Sequence, residues 1–235
     1  MLKIKLSGMM LLLCSTMIFL GNCEVKPPAE GARLSEVEKL YDQGNYKDAM
    51  NVARYNLKNK PKDPASVITV WKVQVMQGTK SKDYTTEFFK VARERVVDFG
   101  NDLIPYLGRG LTSDASNPVR LFCLLCLGEL ADNASSEQIC KVFDPGYAIG
   151  NKTSDITLED LRSEAALILS MRRYNQAFDG IAAMAESQNP ETRVVAAMAL
   201  GYLGDKRALP ILEELSKDRD VDVLADSAIA RINRE

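Results

Sequence analysis

The strongest constraint on this chain is a pattern that recurs through its second half. Thr192-Arg193-Val194-Val195-Ala196-Ala197-Met198-Ala199-Leu200-Gly201-Tyr202-Leu203-Gly204-Asp205 is followed by Arg207-Ala208-Leu209-Pro210-Ile211-Leu212, and the same spacing returns elsewhere. Val119 and Arg120 lead into Cys123, Leu124, Cys126, Leu127, Gly128, Leu130 and Asp132, and Leu161 and Arg162 lead into Ala165, Ala166, Ile168 and Leu169. A degraded copy runs from Val221 through Ala225, Ala228, Ile229 and Ile232. Successive starts lie 42, 31 and 29 residues apart, a range of periods typical of stacked helical pairs. The long first interval reads as an insertion. It is centred on Asp144-Pro145-Gly146 and closes on Thr157-Leu158-Glu159-Asp160, an acidic variant of the helix-start capping box.

Within the clearest copy, Ala196, Ala199, Leu200 and Leu203 fall at i, i+3, i+4 and i+7, which places them on one helical face. Small alanines there let neighbouring helices approach closely. One pair cannot cover its own apolar face, so the stack supplies the stability and the last copy tolerates water on its outer side. The pattern predicts an all-α chain, an α-solenoid of antiparallel helix pairs. It resembles HEAT-like repeats of the kind found in phycobilisome-lyase-related proteins, over Asn101 to Ile232. That resemblance implies a protein-binding scaffold whose groove is lined by the second helix of each pair, including Ser136 to Phe143, Gln176 to Ser187 and Leu209 to Lys217.

The first half is less regular. Gly44-Asn45-Tyr46-Lys47-Asp48-Ala49-Met50, followed by Pro61, resembles the second half of a tetratricopeptide motif. The resemblance implies that Gly44 closes a helix-to-helix turn, that Tyr46 and Ala49 pack between helices and that Pro61 stops the second helix. Pro64 to Met76 and Tyr84 to Val97 read as a further helix pair bridging to the repeats.

Lys3 and Lys5 precede the apolar run Met9 to Leu20, which has the length of a secretory signal core and falls short of the roughly 20 residues that span a bilayer. Leu20-Gly21-Asn22-Cys23 resembles the lipobox of bacterial lipoproteins, with Asn22 departing from the strict pattern towards the relaxed form seen in spirochaetes. The resemblance implies a diacylated Cys23 as the new amino terminus, tethering the protein to the inner or outer membrane of a bacterial envelope; an unmodified thiol beside an uncleaved anchor is the alternative. These resemblances imply residues 1–22 as a lipoprotein signal peptide, 23–33 as a tether, 34–99 as a tetratricopeptide-like helical region and 100–235 as a HEAT-like repeat domain.

Charge and composition narrow the function. The 235 residues carry a formal charge of −2, which becomes more negative once Lys3 and Lys5 leave, so nothing draws the chain to nucleic acid. Leu34 to Phe99 holds 12 basic and 9 acidic residues, whereas Gly100 to Glu235 holds 14 and 21. There is no histidine, which removes the commonest general base and metal ligand. The residues show no catalytic set, metal site or cofactor-binding motif. Gly108-Arg109-Gly110 lacks the lysine and hydroxyl of a phosphate loop. Cys123 and Cys126 form a C-x-x-C, but they fill the positions of Ala196 and Ala199 and read as buried thiols; a disulfide of Cys140 with either one is the second reading, and a metal site the third. Arg120, Arg162 and Arg193 share one repeat position and are expected to brace adjacent repeats through Asp132, Asp160 or Asp205, with anion recognition as the alternative. Lys58, Lys60, Lys62, Lys80 and Lys82, with Trp71 near in sequence, form either a solvated face or a patch for anionic headgroups.

The expected function is a membrane-anchored, non-catalytic scaffold for a protein or peptide partner, with no cofactor. The alternatives are a structural subunit of an envelope assembly and, less favoured, a bilin-lyase-related factor.

Overall fold

The computed structural model describes residues 36–78, 81–148 and 154–234. Cys23, the signal-peptide and tether segments, and Lys80 lie outside them.

The described chain is an all-α solenoid, and local chemistry sets most helix starts. Helix α1 (Glu36–Asp42) turns into α2 (Tyr46–Asn59) through Gly44 at φ +77°, a conformation open to glycine at little cost. Ala49 is fully buried in this hairpin, and the Tyr41 and Tyr46 rings meet edge to face at 5.3 Å. Helix α3 (Pro64–Gln77) starts with Pro64 in its first turn and Asp63 as N-cap, accepting from the Ser66 amide at 3.0 Å. Helix α4 (Lys82–Phe99) begins at the Ser81 cap and ends at Gly100, φ +61°. Then follow α5 (Ile104–Ser113) and the repeats proper: α6 (Asn117–Glu129) with α7 (Asn133–Cys140), α8 (Leu158–Met171) with α9 (Phe178–Met184), α10 (Pro190–Leu203) with α11 (Leu209–Leu215), and finally α12 (Asp222–Ile232). The expected capping box forms at α8, where Thr157 Oγ1 accepts from the Asp160 amide and the Asp160 carboxylate accepts from the Thr157 amide.

The first helices, α6, α8, α10 and α12, pack side by side in one row, and the shorter α7, α9 and α11 pack against that row. Close approach within the row depends on two glycines. A Cβ on Gly128 would sit 2.9 Å from Ile168 of α8, and one on Gly201 would sit 2.6 Å from the Ala228 Cβ of α12. Ala196, Ala199, Leu200 and Leu203 are buried, as their spacing predicts. The last copy is capped by a wet surface, with Val223, Asp226 and Arg231 exposed.

Two pairings differ from the sequence reading. Helix α3 packs chiefly on α2 and α4 chiefly on α6, so Pro64 to Met76 and Tyr84 to Val97 do not form a hairpin with each other. The cause is aromatic packing: Trp71 of α3 lies edge-on to both Phe99 and Phe122, at 6.5 and 5.9 Å, and Phe88 of α4 lies 5.4 Å from Phe122. One apolar core consequently runs from Val67 to Ile232, across the junction at Phe99 and Gly100.

Candidate functional site

Two features stand out from the packing. The first is a cleft of about 310 Å³ where the α1–α2 hairpin, α3 and the α5–α6 turn meet. Lys72 projects from α3 beneath the tyrosine pair and is buried, its ammonium 2.8 Å from Asp114 Oδ2 and 3.8 Å from the centre of the Tyr41 ring. Asp114 follows the last residue of α5 in extended geometry, and its second carboxylate oxygen accepts from the Ser116 amide at 2.9 Å. Burial, then the Asp114 carboxylate, holds the Tyr41 phenol far above its ordinary pKa, so it stays neutral. Arg109, on the rim, places Nη2 2.6 Å from Glu38 and 3.7 Å from Asp42. A buried ion pair gains little net stability, because desolvation offsets its attraction. Its presence in a cleft of an otherwise apolar core marks the place as a site candidate.

The sequence offers almost no signal for this cleft. Tyr41, Lys72, Arg109 and Asp114 come from three helices and a turn, with no shared motif. Arg109 sits in the Gly108-Arg109-Gly110 triplet, whose glycines serve packing: a Cβ on Gly110 would lie 2.5 Å from the Cys123 sulfur, and one on Gly108 would meet Gln138 at 2.6 Å.

The second feature is an apolar strip on the side of the first-helix row that the second helices leave uncovered. Leu167 and Met171 lie one turn apart on α8, and Val195, Met198 and Tyr202 lie at i, i+3 and i+7 on α10, opposite buried Leu200 and Ala196. Met171 is 67% exposed, and the Tyr202 ring carries the Arg231 guanidinium of α12 at 4.3 Å. From α4, Lys82 reaches Asp160 at 3.1 Å and Glu164 at 3.7 Å on the same face of α8, so α4 borders the strip. Among the described repeats the exposed large apolar side chains, Met171, Tyr202 and Val223, fall on first helices, with Val91 and Val97 exposed on α4, whereas the second helices expected to line a groove expose Glu137, Asp179, Glu213 and Glu214.

The other predicted residues resolve as follows. Cys123 and Cys126 are free, fully buried thiols in α6, and Cys140 is a free, half-buried one. Burial pushes the Cys123 thiol up to about 12 and raises Cys126 further from reactivity. The arginine row braces the repeats, with different partners from those expected. Arg120 donates to the carbonyls of Asp114 and Ala148, Arg162 to the Val142 carbonyl, and Arg193 to Asp218 at 2.7 Å and to the Ser187 carbonyl. Asp132, Asp160 and Asp205 are instead occupied as helix caps, Asp205 also binding Arg207. Lys58, Lys60 and Lys62 are exposed, but Trp71 is buried in the core and Lys82 pairs with α8, so the lysine cluster is not a single patch with an aromatic. Among the described residues no helix is long and apolar enough to cross a membrane, and no group of three or more Cys, Asp or Glu side chains is arranged to hold a metal.

Fold and repeats together define a HEAT-like repeat protein. Residues 157–233 match the HEAT repeats family. The chain is also similar to a deoxyhypusine hydroxylase of Drosophila melanogaster, 31% identical over 125 residues, an alignment that takes in 52% of this chain and 38% of the relative.

Proposed function

We propose that the protein is a lipid-anchored bacterial envelope lipoprotein that works as a non-catalytic scaffold, docking a protein or peptide on the first-helix face of its repeats. The observation that carries this reading is the strip in which Met171 and Tyr202 are exposed and Leu167, Val195 and Met198 are half-buried, an apolar surface on an otherwise well-covered core. Lys3, Lys5, the apolar run after them and Cys23 support the anchored form. The activity named in the Drosophila relative is not carried over, because the chain spans 38% of that protein.

The test is crosslinking and capture from native membranes with the wild-type chain, Met171→Glu/Met198→Glu and Cys23→Ala, alongside intact mass with acyl labelling. A discrete partner lost in the double variant, and an acyl mass lost in Cys23→Ala, are expected. Equal capture by the double variant sinks the docking face, and an unacylated wild type sinks the anchor.

A further inference from the structure

Resting on the anchored reading above, we propose that the outer face of α2 lies on the anionic headgroups of the membrane that holds Cys23, and so turns the repeats away from the bilayer. The stretch from Tyr46 to Lys62 carries five basic residues, Lys47, Arg54, Lys58, Lys60 and Lys62, against one acid, Asp48. Lys47, Arg54 and Lys58 fall at i, i+7 and i+11, which is one line along the helix, and the turn after Asn59 adds Lys60 and Lys62 beyond its end. The other side of α2 is buried through Ala49, Val52 and Ala53, where the helix packs on α1 and α3. The basic line therefore faces outward. All four lysines are exposed, and Arg54 is half-buried.

These cations lack the partners that cations elsewhere on the molecule have. Lys82, Lys90, Arg93, Arg207 and Lys217 each hold a carboxylate oxygen within 3.1 Å. None of the five basic side chains on and just after α2 makes a hydrogen bond or an ion pair among the described residues, and Arg54 Nε is buried without an acceptor. The one acid of the stretch, Asp48, accepts from Asn45 Nδ2 at 2.8 Å. Two further facts choose a bilayer as the occupant. Helix α1 starts 13 residues after Cys23, at most about 45 Å of chain, so an acylated Cys23 keeps the hairpin close to the surface, where lysine and arginine are drawn to anionic lipid. Gly100 to Glu235, with 14 basic and 21 acidic residues, is repelled by the same surface. Attraction at one end and repulsion at the other set a single orientation.

The test sediments the Cys23→Ala chain with vesicles of phosphatidylcholine alone and of phosphatidylcholine mixed with phosphatidylglycerol. Because this chain carries no acyl group, its behaviour reads the α2 face whatever the acyl mass of the wild type proves to be. Tighter binding to the anionic vesicles is expected, with release as salt rises from ~0.05 M to ~0.5 M. Adding Lys58→Gln/Lys60→Gln should weaken that binding about 25-fold, or about fivefold per residue. Lys206→Gln/Lys217→Gln, the same change of charge on the repeats, should alter it less than about twofold. Acetylation of lysines on the anionic vesicles, read by peptide mass, should slow at Lys47, Lys58, Lys60 and Lys62 and not at Lys206 or Lys217. Equal binding to the two kinds of vesicle, binding indifferent to salt, equal losses in the two double variants, or protection of the repeat lysines overturns the proposal. Capture of an acidic protein by α2 without selective binding to anionic vesicles would give the face to that protein and overturn the membrane contact.

Discussion

The guanidinium of Arg172, at the end of α8, lies 3.1 Å through Nη2 from the carbonyl oxygen of Leu130, at the end of α6. It also donates to the carbonyls of Leu127 and Gly128 and to the hydroxyls of Ser135 and Ser136. One side chain thus satisfies the unpaired carbonyls that close one first helix and ties them to the next repeat.

Replacing Arg172 by Ala strands those carbonyls in a half-buried site and is expected to cost about 1.5–3 kcal/mol, the range for hydrogen bonds to a charged group. Arg172→Lys should recover little of it, because an ammonium cannot reproduce the planar fork. Urea midpoints of the two variants check this; a lysine variant as stable as wild type would assign the effect to charge alone.

For the buried pair, Lys72→Met leaves Asp114 as an uncompensated charge and should destabilise by about 3–5 kcal/mol. Adding Asp114→Leu should restore most of that loss, since the apolar pair avoids desolvation. A double variant no better than the single would show that Asp114 holds the turn mainly through its bond to the Ser116 amide.

How far the sequence reveals this molecule depends on the range of each interaction. The repeat spacing, the cap at Thr157 and the burial of Leu200 are legible because each is fixed within one or two helical turns. The bracing role of Arg120, Arg162 and Arg193 is also legible, but their partners are not: main-chain carbonyls such as those of Asp114 and Val142 carry no side-chain signature. The cleft is illegible for a related reason. Its buried lysine is one of many in the first half, and contacts distant in sequence, Trp71 against Phe122 and Lys72 with Asp114, bring α3 up to the α5–α6 turn. The exposure of Met171 and Tyr202 is not legible from spacing, because periodicity marks which residues share a face, while coverage by neighbouring helices decides which face stays wet.

The thiols give a kinetic prediction. Cys123, held up to about 12 by burial, and Cys126 should resist maleimide at pH 8 until the protein unfolds, and Cys140 should react first, as judged by peptide mapping after timed quenching. Modification of Cys123 as fast as Cys140 in the native protein would contradict its burial behind Gly110.

Acid stability has a defined sign at Asp160. Burial alone would raise its pKa, but the Thr157 amide and hydroxyl and the Lys82 ammonium hold it below the ordinary value. A depressed carboxylate contributes stability above its unfolded pKa, about 3.9, and loses it as pH falls through the lower folded value. Asp160→Asn should therefore lower stability at pH 6 and flatten its decline below pH 4, in urea titrations at both. An unchanged acid limb would place the main acid-sensitive group elsewhere.

The edge contact of Trp71 with Phe122 has a mechanical meaning. Because α3 and α4 share one core with the repeats after Gly100, bending at that junction would have to open the Trp71–Phe122 contact to water. The α1–α2 hairpin, whose buried residues cluster apart from that core, is the part expected to open first under strain.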